Sequence, residues 1–436
     1  MLDIKFIREN PDIVKKDLKK RNDHDKLKWL DDLIQKDEEY RKLLQEEQEL
    51  RHKRNLITDE INQLKKEGKD IRHKIQEARE LPEKIKGLTS KVEELKNKIN
   101  YYLMRIPNIL HDSVPFGKDE NDNKVMRKHG EIKKFNFDLK NHSEIIEKLK
   151  IGDFDNAAKV SGRGFYYLFN ELALMDLALQ RFTIDILMKK GFVLTQVPLM
   201  LRRKPYEGVT ELKNFETMMY KIENEDLYLI ATSEHAVAAR LMDHVFDENQ
   251  LPLKFVGVSP CFRKEIGSHG VDEKGLFRVH QFNKVEQFVF CNPKDSWKIF
   301  EELLENAELI FKKLKLPFRT VSVCTGDIGD VAAKKYDIEV YMPREKEYKE
   351  VVSCSNCTAY QSTRLNIKYQ KGNEREFVHT LNSTAIATSR ALRAILEHYQ
   401  QKDGSIKVPS ILVPYMNGIK SIGKSIKSKK KKFSKK

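Results

Sequence analysis

Arg263 and Glu265 stand two residues apart at the end of a β-rich run, FVGVSPCFRKE, so an extended strand would present both on one face. A guanidinium is a planar fork of donors, well matched to phosphate oxygens. The residues that follow carry Gly267, Gly270 and Gly275, a loop able to close over a ligand. A second β-rich run comes next, in which Val279, Gln281, Asn283 and Val285 alternate with His280, Phe282, Lys284 and Glu286. As a pattern alone, this strand, loop and strand suits an ordinary charged surface hairpin as well as a phosphate site. A second place to look for chemistry is the CxxC formed by Cys354 and Cys357. No second pair exists to complete a four-ligand zinc site, and SCSNC lies in a polar segment, not at a helix start after a strand. Neither GxxxxGK[ST] nor a GxGxxG after a strand occurs, so the two commonest nucleotide-binding signatures are missing.

These residues sit in a stretch where long helical patterns alternate with short β-rich segments, among them FVLTQVP, LYLIATS, VEQFVFC, RTVSV, IEVYMP and YKEVVSCS. Several such segments follow one another without a helix between them, which favours an antiparallel or mixed sheet over a doubly wound one. The N-terminal quarter is different. After a short helical cap, residues 28–104 are dense in charge, and their apolar residues fall at intervals of three and four. Leu30, Leu33, Tyr40, Leu44, Ile57, Ile61 and Leu64 form one stripe; Ile85, Leu88, Val92, Leu95, Ile99 and Leu103 form another with heptad-like spacing. Gly68 divides the two, so the segment reads as an antiparallel helical hairpin, and Pro82 should kink or break its second helix. A dimerising coiled coil and a projecting arm that grips a polyanion both fit. The arm's acids nearly balance its bases, so charge alone does not point to RNA.

The chain has 436 residues, a hydrophobic fraction of 40% and a charged fraction of 34%. That composition is soluble and globular and long enough for two or three domains. No apolar run reaches bilayer length and the N-terminus has no signal-peptide core, so a cytoplasmic protein with no membrane partner is expected. Five cysteines, an odd count at wide spacing, argue against a disulfide framework. The net charge is +15, of which the nine lysines of residues 420–436 supply +9. That low-complexity tail is expected to be disordered, either as a solvated end or as a nonspecific attractor of nucleic acid.

Taken together, the segments resemble class II aminoacyl-tRNA synthetases, in the form seen in seryl-tRNA synthetases. FRKE, the glycine loop and FRVHQFNKVEQF look like motif 2; NELALMDLALQRFTIDILMKKGFVLTQVP is similar to motif 1; HTLNSTAIATSRALRAILEHYQ resembles motif 3. TGDIGDVAAKKYDIEVYMP, SCSNCTAYQSTR and the helical hairpin also look like this family, so the resemblance covers roughly residues 1–420. The sequence LNST at motif 3 is closer to the archaeal and eukaryotic branch than the bacterial LNGS, which leaves open the hydrogen bond made at Thr384.

The resemblance implies an α+β architecture: an antiparallel coiled-coil hairpin joined to a catalytic domain with a mainly antiparallel sheet flanked by helices. Its divisions would be 1–110 for tRNA binding, with the arm at about 28–104, then a connector at 111–160, a catalytic domain at 161–418 and the tail at 419–436. It implies serine attachment to tRNA(Ser) through seryl-adenylate, with tRNA(Sec) a further substrate where present. The ATP site would comprise Arg263, Lys264, Glu265, Val279, Phe282, Glu350, Val351, Val352, Ser353 and Arg390. Arg263 would take the α-phosphate, Phe282 would stack on adenine and Arg390 would lie over the other adenine face. Glu350 and Ser353 would hold Mg2+. The serine site would comprise Thr232, Ser233, Glu234, Arg263, Glu286, Asn382 and Thr384. Arg263 and Arg390 are the catalytic candidates, and no structural zinc is implied because the CxxC falls within a family segment. Motif 1 would form a homodimer interface, and the hairpin would embrace the long variable arm of the tRNA. Other class II enzymes, such as those for threonine or proline, are the nearest rivals. A threonine enzyme needs a zinc site and usually extra domains, neither of which is evident. A scaffold, or a synthetase-like protein without activity, would have no need of Arg263, Glu286 and Arg390 together.

Overall fold

The computed structural model describes residues 1–211, 215–265 and 274–423. Gly267 and Gly270 of the glycine loop, and the lysine tail from residue 424 onward, lie outside the described residues.

The chain divides into two compact units, Met1–Ile109 and Leu110–Lys436. In the first, two short helices, α1 (Ile4–Glu9) and α2 (Pro11–Lys20), precede two long ones, α3 (His24–Lys66) and α4 (Arg72–Leu103). The apolar stripes explain the pairing: Leu30, Leu33 and Ile57 of α3, and Leu81, Ile85, Val92, Leu95, Ile99 and Leu103 of α4, are buried. Helices this polar gain little from propensity alone, so the shared seam holds them. Gly68 makes the turn at a φ of +67°, a conformation in which a Cβ would be strained. Asp23 caps α3 by accepting the Lys26 N–H at 3.2 Å. Of the kink or break expected at Pro82, the break does not occur: α4 runs 32 residues with Pro82 inside it. A helix-interior proline costs about 3 kcal/mol or more; Leu81 and Ile85, packed with Ile57 across the seam, offset that loss.

The second unit is built on eight strands: β1 (Lys124–His129), β2 (Val193–Gln196), β3 (Leu253–Phe262), β4 (Gln281–Cys291), β5 (Phe318–Ser322), β6 (Lys334–Met342), β7 (Glu347–Thr358) and β8 (His379–Ala387). Their order is β1-β5-β6-β7-β8-β4-β3-β2, antiparallel throughout except for the parallel β2–β3 pair. Six helices complete the positioning frame: α5 (His142–Leu149), α6 (Asn170–Met188), α7 (Ser233–Ala239), α8 (Ser296–Lys313), α9 (Tyr360–Leu365) and α10 (Thr388–Tyr399).

Strand alternation splits the sheet into two faces. Val285 and Val289 of β4, Val352 and Cys354 of β7, and Leu381 of β8 enter the main core with Phe182 of α6, Phe300 of α8 and Ile395 of α10. The opposite face carries Lys284, Glu286, Ser353, Ser355, Asn382 and Thr384, and they line a cavity. A second core, with Tyr206, Phe215, Tyr228, Phe288 and Phe290, closes one end of that face. No helix among the described residues is long and apolar enough to cross a membrane.

Candidate active site

The cavity has a volume of about 350 Å3 and gathers side chains from segments spread between residues 209 and 390. Of the residues singled out in the sequence, Thr232, Glu234, Arg263, Glu265, Val279, Phe282, Glu286, Glu350, Val351, Ser353, Asn382, Thr384 and Arg390 line it. Lys264, Ser233 and Val352 are not in its wall. The Lys264 ammonium lies over the ring of Tyr220, 5.8 Å from its centroid. Ser233 is fully buried behind Gly257, where a Cβ would come within 2.5 Å of the serine Oγ. Val352 points into the main core.

Arg263 is set by the closure of β3 on β4. Its backbone N–H donates to the His280 carbonyl at 2.9 Å, and its guanidinium lies 5.3 Å from the centre of the Phe282 ring. The strand expected to carry both residues ends at Phe262, and Glu265, two residues beyond Arg263, adopts a left-handed φ of +46° and pairs with Arg278 Nε at 2.9 Å. Arg390, in the first turn of α10, donates to the Glu350 carbonyl at 2.9 Å and lies 3.3 Å from its carboxylate.

Glu350 and Ser353 sit three apart on β7, and strict alternation would send them to opposite faces. The register of β7 against β6 slips between Val352 and Glu350, leaving Val351 as an extra residue. Such a bulge re-phases the strand, so both side chains reach the cavity. Burial pushes the Glu350 carboxyl up, but Arg390, Lys335 and Arg263 outweigh it and hold the group below its usual range. Its side chain is still 48% exposed, into the open cavity. A similar slip between Thr384 and Ile386 of β8 brings Ala387 back to the cavity wall.

At the other end of the cavity the polar groups interlock. Glu286 Oε2 receives Lys284 Nζ at 2.7 Å and Thr384 Oγ1 at 3.1 Å. Glu234 Oε1 accepts from Asn382 Nδ2 and from Gln361 Nε2, both at 3.0 Å. Gln361, fully buried on α9, also donates to the Val209 carbonyl and accepts from Thr380 Oγ1. Burial and the charge of Glu286 push the Glu234 carboxyl up to about 7, while Lys284 pulls the other way. The site therefore joins two guanidiniums, one of them paired with Glu350, to two carboxylates fixed by neutral donors and one lysine, and Arg263 acts on both Glu350 and Glu234.

Sequence reasoning missed Lys284, Gln361 and Phe277. Lys284 was signalled, because it lies between Phe282 and Glu286 on one side of an alternating strand. Gln361 and Phe277 gave no comparable signal. Cys354 and Cys357 lie on opposite faces of β7: the first donates weakly to the Phe300 carbonyl in the core, and the second lines the cavity near Asn382. Two thiols so divided by the sheet cannot share one metal or form a disulfide without rebuilding the strand.

Comparison with known proteins bears on the chain as a whole. Residues 1–110 match the family described as "Seryl-tRNA synthetase N-terminal domain". Residues 215–399 match "tRNA synthetase class II core domain (G, H, P, S and T)". The chain is 58% identical over 422 residues to the serine--tRNA ligase of Methanocella arvoryzae, covering 96% of this chain and 99% of that protein. It is 49% identical over 444 residues to that of Pyrococcus horikoshii, covering 97% of each. Among solved structures, the Pyrococcus horikoshii seryl-tRNA synthetase complexed with ATP superposes with a TM-score of 0.90 at 49% identity, covering 97% of this chain and 99% of that one. The cytoplasmic serine-tRNA ligase of Naegleria fowleri in complex with AMP gives 0.85 at 37% identity, covering 97% and 98%.

Proposed function

Since the chain belongs to the seryl-tRNA synthetase family, we propose that its cavity joins ATP and L-serine as seryl-adenylate and then yields the seryl group to the 3′ end of tRNA(Ser). The overall reaction, ATP-dependent attachment of serine to tRNA, is that of a class II aminoacyl-tRNA synthetase. The observation that carries the finer reading is that one cavity gathers the cationic Arg263 and Arg390 together with a polar group at Glu234, Glu286, Asn382 and Thr384. A triphosphate suits the first and a small hydroxylated amino acid the second.

Arg263 binds the α-phosphate, and Arg390 covers one adenine face and reaches toward the γ-phosphate. Phe282 stacks on the other face, with Val279 beside it, and Glu265 accepts from the adenine edge. At the far end, Glu286 and Glu234 take the ammonium and hydroxyl of serine, with Thr232, Asn382 and Thr384 completing the enclosure. An analogue without the hydroxyl would leave buried partners unmet, and this is how a small polar pocket discriminates. Serine's carboxylate attacks the α-phosphate in line, and pyrophosphate leaves. No strong general base is required; the residues contribute position and charge.

Mg2+ fits the pair Glu350 and Ser353, because both are hard oxygen donors on one face and the carboxylate is held ionised by three cations. When bound with ATP, the ion supplies charge neutralisation across the phosphates.

The paired helices α3 and α4 grip the long variable arm of tRNA(Ser), and the same grip extends to tRNA(Sec) where that tRNA exists. Shape and backbone contacts suit such a fold better than base readout. A homodimer forms through α6 and the edge strand β2. Leu177 is 60% exposed, Val193 58%, Met188 49% and Leu194 43%, an apolar surface that a second copy would cover. The setting is the cytoplasm.

Serine-dependent ATP–pyrophosphate exchange by the purified protein tests the reading. No exchange with serine, or equal exchange with threonine, would overturn it. Arg263→Ala should abolish exchange while leaving the dimer intact.

A further inference from the structure

Behind the cationic end of the cavity runs a buried chain of polar contacts that includes none of the residues assigned above. It starts at His142, the first residue of α5, which lies outside the matched core segment and is 3% exposed. His142 Nε2 accepts the backbone N–H of Leu276 at 3.0 Å. A backbone N–H can only donate, so Nε2 is the bare nitrogen and Nδ1 carries the hydrogen. That Nδ1–H faces Glu397 Oε1 at 3.3 Å. The approach is close: a Cβ at Gly275 would come within 2.4 Å of His142 Nε2.

Glu397 Oε1 also accepts from Arg393 Nε at 3.2 Å, and Arg393 Nη2 donates to Glu345 in the β6–β7 hairpin. Arg393 is 1% exposed. Its guanidinium lies 4.8 Å from the centre of the Phe277 ring, and that of Arg390 lies 4.9 Å from the same ring. Phe277 itself lines the cavity. The ring therefore contacts both a fixed, buried cation and the cation assigned to ATP, and His142 pins the backbone one residue before it.

An apolar side chain could fill the space of Arg393 without the desolvation that a buried ion demands. What the arginine adds is a tie between three segments, α10, the β6–β7 hairpin and the exit of the glycine loop, all of which bear on Arg390. We propose that His142 and Arg393 are positioning residues for ATP, acting through Leu276 and Phe277 on the side chain of Arg390. The inference rests on the reading of Arg390 as an ATP contact.

The test uses the full-length enzyme in ATP–pyrophosphate exchange, with ATP and then serine varied. Four variants are compared with the parent: His142→Ala, Arg393→Lys, Phe277→Leu and Arg390→Ala. A misplacement of about 1 Å in a positioning group can cost about 100-fold. The first three variants are therefore expected to raise KM for ATP about tenfold or more, leaving KM for serine within about two-fold. Phe277→Leu, a half-buried wall position, decides the matter if His142→Ala fails to fold. An unchanged KM for ATP in Phe277→Leu, or equal rises for ATP and serine across the set, would overturn the proposal while leaving the ATP site standing. An unchanged KM for ATP in Arg390→Ala would instead overturn the underlying reading.

Discussion

Replacing Thr384 with valine isolates one hydrogen bond in the serine end of the site. Valine has nearly the shape of threonine, so the β8 backbone and the packing around position 384, only 8% exposed, should survive. What is lost is the Oγ1 donor that reaches Glu286 Oε2 at 3.1 Å. Glu286 keeps its ion pair with Lys284 at 2.7 Å, so the carboxylate stays compensated and the fold is not left with a bare buried charge. It loses the contact that fixes its orientation toward the cavity. Hydrogen bonds to charged groups contribute about 1.5–3 kcal/mol. At about 1.4 kcal/mol per factor of ten, kcat/KM for serine should fall roughly 10- to 100-fold. The proposed reading assigns ATP to Arg263, Phe282 and Arg390 and not to Thr384, so its KM should move by less than about two-fold. The assay is ATP–pyrophosphate exchange with serine varied at saturating ATP, then the reverse. Thr384→Ser retains the donor and should recover most of the loss. A serine kcat/KM within about two-fold of the parent, or a parallel loss for ATP, would refute the reasoning.

Deleting residues 30–103, which lie within the first unit, should spare adenylate formation and cripple tRNA charging; charging that survived would make the hairpin structural. Leu177→Glu places a charge on the exposed face of α6, 60% open in the single chain, and sedimentation should then show monomers if that face is the dimer interface. Glu234 gives a pH signature. Its carboxyl is pushed from 4.5 up to about 7, first by burial and then by Glu286. A raised folded value means its contribution to stability is full below pH 4.5 and lost as pH rises through about 7. Thermal unfolding should accordingly show the parent losing stability relative to Glu234→Gln as pH rises across that window, and a constant difference would count against the shift.

The sequence by itself determined whatever depends on local period. The apolar stripes of residues 28–104 specified the helical hairpin, and Gly68 marked its turn. Alternation along β4 put Phe282, Lys284 and Glu286 on one side, because a pleated strand cannot do otherwise. Resemblance of the ordered motifs supplied most of the remaining candidates. Tertiary structure decided where the local period fails. Glu350 and Ser353, three apart, share a face only because Val351 bulges against β6, a slip that depends on the partner strand and leaves no mark on β7 alone. The same slip sends Val352 into the core. Pro82, which local rules would make a break, is held inside α4 by packing across the hairpin. Thr384 meets Glu286 across 98 residues of sequence, and His142 meets Leu276 across 134. Pairings over such distances are fixed by the register of strands and the seating of helices on the sheet, so the chemistry at Arg263 could be read early while the residues that steady it could not.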